Sequence, residues 1–105
     1  MSFGSSGSFS DVVDGSYIST VITVGTSQVQ ACVGGSNLAN RQEIIIYNDS
    51  LATIYYGPSG VTTTGATKGI PIAPGGFVNL PFGTDIGLFL IAGSASNSVI
   101  VQELG

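Results

Sequence analysis

Apolar and polar residues alternate along most of the chain from Tyr17 onward. In "YISTVITV" (17–24), Ile18, Thr20, Ile22 and Val24 fall on one side and Ser19, Val21 and Thr23 on the other. In "SQVQACV" (27–33), Val29, Ala31 and Val33 share a side. Successive side chains of a strand leave opposite faces of a sheet, so a period of two predicts strands with one face inward. Gly25 and Thr26 read as a tight link between these two strands, and "GGSNLAN" (34–40) as a loop.

"NRQEIIIYNDSLATIYYG" (40–57) holds the most bulk. Ile44 and Ile46 face one way, Glu43, Ile45 and Tyr47 the other; Ile54 and Tyr56 likewise oppose Thr53 and Tyr55. The stretch reads as a hairpin with "NDSL" as its turn. A strand that is apolar on both faces is either covered on its outer side or packs against another chain. "GPSG" ends the second strand, with Pro58 preset for a turn.

Residues 60–69 read as a polar loop or short edge strand. In "IPIAPGG", Pro71 and Pro74 belong where ladder hydrogen bonds are absent, at an edge or in a turn. "FVNLPFG" (77–83), "DIGLFLIAG" (85–93) and "VIVQEL" (99–104) complete the set. No window keeps a helical period, and 16 glycines would damage helices wherever they fell. The expected fold class is all-β, an antiparallel β-sandwich or barrel of about seven to eight strands with turn signals roughly every eight to twelve residues. No fixed repeat supports a solenoid or propeller.

Residues 1–16 differ in kind. They are rich in Gly and Ser, with isolated Phe3 and Phe9, a composition that cannot bury enough apolar surface to fold alone. The expected organisation is a flexible N-terminal arm, 1–16, followed by one domain, 17–105. Extended at about 3.4 Å per residue, the arm would reach on the order of 50 Å, with Phe3 and Phe9 as anchors.

Composition sharpens this picture. Only 8% of the 105 residues are charged, against about 25% in ordinary soluble domains; 43% are hydrophobic, and the mean hydropathy is +0.47. A neutral Ser, Thr, Gly, Asn and Gln surface opposes contact between copies only weakly, which points to self-association. The net charge of −4 leaves Arg41 and Lys68 as the side-chain cations, too few to gather phosphate contacts, so nucleic acid and anionic membrane are not expected partners. The longest apolar run, "LFLIA" (88–92), falls far short of the roughly 18 residues of a spanning helix. "MSFGSSGSFSDVVDG" lacks the basic and apolar regions of a signal peptide, and synthesis in a cytoplasm is expected.

Candidate chemistry is sparse. The absence of histidine removes the commonest general base and most zinc sites. Of the carboxylates, Asp11, Asp14, Asp49 and Asp85 fall in the arm or in turns, where such side chains cap backbone groups, while Glu43 and Glu103 fall on strands. "DVVDG" lacks the remaining ligands of a calcium loop, and "GPSG" is not a nucleophile elbow. Arg41 and Glu43, two apart, are expected to form exposed cross-strand pairs. Cys32 is the one cysteine; it has no cationic neighbours in "QVQACVGG" and reads as a small buried apolar residue. Asn48-Asp49-Ser50 matches a glycosylation sequon by chance. Tyr47, Tyr55 and Tyr56 suit a core, an interface or a sugar-stacking platform. No catalytic residue, cofactor or metal is expected. The interface candidates are Phe3, Phe9, Ile45, Tyr47, Tyr55 and Tyr56.

From Asn40 to Leu104 the order of features resembles the small all-β virion proteins of tailed bacteriophages. An "NR" strand, a "Y-x-G" strand, a "GVT…GIPIAPG" segment, an "LF-x-IA" strand and a closing "V-x-V-x-E" strand follow one another. The resemblance implies a non-enzymatic structural subunit located in the virion, a capsid decoration or cement protein first, and a neck, tail or fibre component next. Its implied partners are the major capsid protein or other virion proteins, and further copies of itself, a trimer foremost. A host-glycan-binding module, with Tyr55 or Tyr56 stacking on sugar, is the competing expectation.

Overall fold

The computed structural model describes residues 15–105. Eight strands follow one another: β1 (Tyr17–Val24), β2 (Val29–Gln30), β3 (Glu43–Asn48), β4 (Ile54–Gly57), β5 (Ile70–Ile72), β6 (Phe77–Leu80), β7 (Phe89–Ala92) and β8 (Asn97–Leu104). They form two four-stranded sheets, ordered β1-β8-β3-β6 and β2-β7-β4-β5, and every strand pair is antiparallel. A single 3₁₀ turn at Gly65–Thr67 interrupts the β4–β5 loop. The all-β expectation and the number of strands hold. Residues 1–14 of the expected arm, with its anchors Phe3 and Phe9, lie outside the described residues, whereas Ser16, expected in the arm, exchanges backbone hydrogen bonds with Gly105.

The period-two pattern is realised as read. Along β8, Asn97, Val99, Val101 and Glu103 are buried while Ser98, Ile100, Gln102 and Leu104 are half-exposed. Along β3, Ile44, Ile46 and Asn48 are buried and Glu43, Ile45 and Tyr47 are not. One cluster of buried side chains draws on both sheets: Val24, Ile44, Ile46, Val99 and Val101 from the first, Ile54, Ile72, Leu90 and Ala92 from the second. Each fully buried isoleucine or leucine there contributes on the order of 1.5–3 kcal/mol through removal from water.

The expected hairpin at residues 40–57 does not form. β3 sits in the first sheet and β4 in the second. The connection crosses because Asn48, fully buried, holds it open: its side-chain Nδ2 donates to the carbonyls of Ala52 (2.7 Å) and Ile72 (2.8 Å), and its Oδ1 accepts from the Ser50 amide and hydroxyl. Ile44, Ile46 and Ile54 thereby meet inside the same cluster. The sequon asparagine is thus an internal strut. Its backbone also exchanges hydrogen bonds with the β5–β6 turn, donating to Gly76 and accepting from Gly75. In that turn Pro74 sets the second position and Gly75, at φ 79°, takes the positive φ that the third requires.

The Gly25–Thr26 link also crosses between sheets. β1 pairs with β8, whereas β2 pairs with β7, and the Gly25 carbonyl already accepts from Ala92 of β7. β5 is an edge strand with Pro71 in its middle, as the prolines predict.

Candidate functional site

The first sheet turns an apolar row outward. Strand register sets Val21 opposite Ile100, Ile100 opposite Tyr47, and Tyr47 opposite Phe77, so one line of side chains crosses all four strands. Residues directly opposite on one face are close enough for their side chains to touch. The ends of the row are open: Val21 is 62% and Phe77 67% exposed. Ile45 lies in the next row, between Gln102 and Asn79, with Ser19 beyond Gln102. That polar row is tied together, Tyr17 donating to Gln102 (2.9 Å) and Gln102 to Ser19 (3.4 Å). Among the outward positions of these four strands Glu43 carries the one charge.

Of the residues singled out in sequence, Ile45 and Tyr47 are brought together on this face. Tyr55 and Tyr56 belong to the second sheet and leave it on opposite sides. Tyr56 packs against the core, while Tyr55 faces out beneath the Lys68 ammonium, which lies 5.8 Å from its ring centroid. The two rings therefore do not form a shared stacking platform. Val21, Ile100 and Phe77 were missed. The signal was a phase error: each is an apolar residue at a polar position of its alternating strand, and only the register shows that the errors line up.

A second constellation lies at the other end of β8. Alternation puts Glu103 on the inward face beside Val99 and Val101, where a carboxylate needs partners. Arg41 supplies the charge at 2.8 Å, both side chains being 0% exposed. Arg41 does not form the exposed cross-strand pair expected of it. It precedes β3, and all five of its side-chain N–H groups turn inward: Nε donates to Phe82, Nη1 to Glu103 and Asn37, and Nη2 to Gly83 and Ile86. Glu103 also accepts from the amides of Val33 (2.7 Å) and Leu38 (3.0 Å). Burial by itself would raise the Glu103 pKa, but the two amides and the guanidinium outweigh it and hold the carboxyl below its ordinary value. The pair fastens the loops around residues 31–42 and 82–87 to β8.

Cys32 is buried beside this pair and donates to the Gly34 carbonyl. Burial raises its thiol pKa, the Glu103 charge raises it further, and Arg41 partly offsets both, so the thiolate is disfavoured. Among the described residues no three His, Cys, Asp or Glu side chains gather as a metal site would require. A mainly apolar groove of about 310 Å³ opens between the β4–β5 and β6–β7 connections, lined by Tyr56, Ile70, Phe82, Ile86 and Leu88 with Lys68 at its wall.

No family model, curated protein or solved structure matches this chain.

Proposed function

We propose that the protein is a non-enzymatic structural subunit of a tailed-phage particle, a capsid decoration or cement protein, which docks through the outer face of the β1-β8-β3-β6 sheet. The observation that carries the docking face is the Val21–Ile100–Tyr47–Phe77 row. A contiguous apolar line with exposed ends, on a face with one charge, has the makings of a protein interface, where charged residues are depleted and aromatic residues enriched at the centre. The particle comes from the resemblance of residues 40–104 to virion proteins.

On this reading the two sheets form a β-sandwich, supported by the single core cluster to which both contribute. The major capsid protein is the first partner, and a neck or tail protein would present an equivalent protein surface. The fully engaged Arg41–Glu103 pair supports a non-enzymatic role, because it commits the one buried carboxylate among the described residues to holding loops together.

The test is to purify phage particles from the cells that produce this chain and to quantify it in them by mass spectrometry. The proposal expects a fixed copy number per particle, retained through density-gradient purification. Absence from intact particles, with the chain remaining in the soluble lysate, would overturn it.

A further inference from the structure

We infer that β1 is the contact strand of a two-fold dimer, in which β1 of one copy pairs antiparallel with β1 of a second and Val21 faces Val21 across the axis. This goes beyond the docking face and stands whichever protein covers that face.

The starting point is how the four sheet edges are finished. Exposed edges present unpaired N–H and C=O groups, and proteins blunt them with short strands, prolines, charges or bulges. Three of the edges here are blunted: β2 has two residues, β5 carries Pro71, and β6 has four residues and runs directly into Pro81. β1 is different. It has eight residues without proline, glycine or charge, pairs with β8 without a bulge, and among the described residues has no neighbour on its other side.

The ladder fixes which groups that edge offers. Ser16 and Gly105 exchange both backbone hydrogen bonds, and in an antiparallel pair such positions recur at every second residue. Ile18, Thr20, Ile22 and Val24 therefore aim their backbone groups at β8. Tyr17, Ser19, Val21 and Thr23 aim theirs out of the sheet.

A two-fold axis through Val21 lets Ser19, Val21 and Thr23 exchange these groups with Thr23, Val21 and Ser19 of the second copy. The side chains suit this register. Val21 meets Val21 and Ser19 meets Thr23 on the outer face, while Thr20 meets Ile22 on the inner face, and no charge meets its like. The apolar row then continues unbroken from Phe77 of one copy to Phe77 of the other. Edge-strand Ile18 and Ile22, only half-buried where the central Ile44, Ile46, Val99 and Val101 are fully buried, gain cover as well. A head-to-tail ring, the trimer included, would instead have to join β1 to a blunted edge such as the four residues of β6. The self-complementary edge favours the closed pair.

The test is the mass of the full chain by light scattering over a range of concentrations, joined to amide hydrogen exchange. The expected mass is twice the chain's 10.6 kDa, falling on dilution, with the Ser19, Val21 and Thr23 amides losing protection in step. Val21→Pro removes an N–H that points out of the sheet and costs the β8 ladder nothing, so it gives a folded monomer by circular dichroism. Val21→Lys sets two ammonium groups against each other and does the same by altering only an exposed side chain, which keeps the test decisive if the proline variant does not fold. Leu51→Lys, on the exposed β3–β4 turn, stays dimeric. A native chain that is monomeric throughout, or an oligomer indifferent to both Val21 variants, would overturn the inference. So would amides at 19, 21 and 23 protected in a monomer, since the edge would then be covered by the chain's own N-terminal residues.

Discussion

Arg41 and Glu103, 62 positions apart in the chain, meet at 2.8 Å with neither side chain reaching solvent. Two ions removed from water are stabilising only when their remaining hydrogen-bonding groups are also satisfied. That condition is met here, by the Asn37 side chain and three carbonyls on the arginine and two amides on the glutamate. The pair holds loops that strand pairing alone would leave loose, and so fixes the end of β8.

Breaking it from one side should therefore be severe. Arg41→Ala leaves a buried carboxylate without its cation and the Phe82 carbonyl without its donor, while the carbonyls of Gly83 and Ile86 keep only the Ile86 amide and the Asn37 side chain. The expected loss is about 3–5 kcal/mol in urea denaturation. Glu103→Gln keeps an acceptor for only one of the two amides, which donate to different oxygens, and leaves the buried guanidinium without its anion, so it should also be clearly destabilising in the same measurement.

The same carboxylate sets a pH dependence. Its folded-state pKa lies below the ordinary value of 4.5, so in acid the unfolded chain binds more protons than the folded one. The stability it contributes is fully present above the ordinary value and drains away as pH falls below it, through the depressed folded value. Thermal unfolding followed from neutral pH down through this window should show the melting temperature dropping. In Glu103→Gln the slope should be shallower.

Asn48 is the second internal strut. Asn48→Ala removes the side-chain donor to the Ile72 carbonyl, leaves the Ala52 carbonyl to the Ser50 hydroxyl and frees the Ser50 amide, at an expected cost of about 1–3 kcal/mol. Asn48→Asp should be worse, because a carboxylate cannot donate to those two carbonyls and would sit against them. Denaturant midpoints of the two variants, measured near neutral pH, give the order.

Which residues face inward was legible in the sequence, and which strands pair was not. Alternation placed Ile44 and Ile46 inside and Tyr47 outside, because the period of two is a property of the strand itself. It says nothing about the neighbour. β3 and β4 read as a hairpin, yet their connection crosses between sheets through hydrogen bonds from Asn48 to Ile72, a residue 24 positions away. Arg41 was read as an exposed residue in a cross-strand pair for the same reason. The clue to its true partner was present, since Glu103 falls in phase with Val99 and Val101 and the chain has two basic side chains to answer it. The apolar row was partly legible: Tyr47 stood out by bulk, as did Ile45 in the row beside it, whereas Val21, Ile100 and Phe77 joined Tyr47 only through the register.

The most direct measurement of the docking face is co-sedimentation of the purified chain with particles lacking it, native against Phe77→Lys. Phe77 is 67% exposed, so the substitution should alter stability by no more than about 0.5 kcal/mol. The native chain should pellet with the particles, and Phe77→Lys should bind at least about tenfold more weakly, as removal of a well-placed interface aromatic does. Equal binding of a folded Phe77→Lys would contradict the assignment of this face.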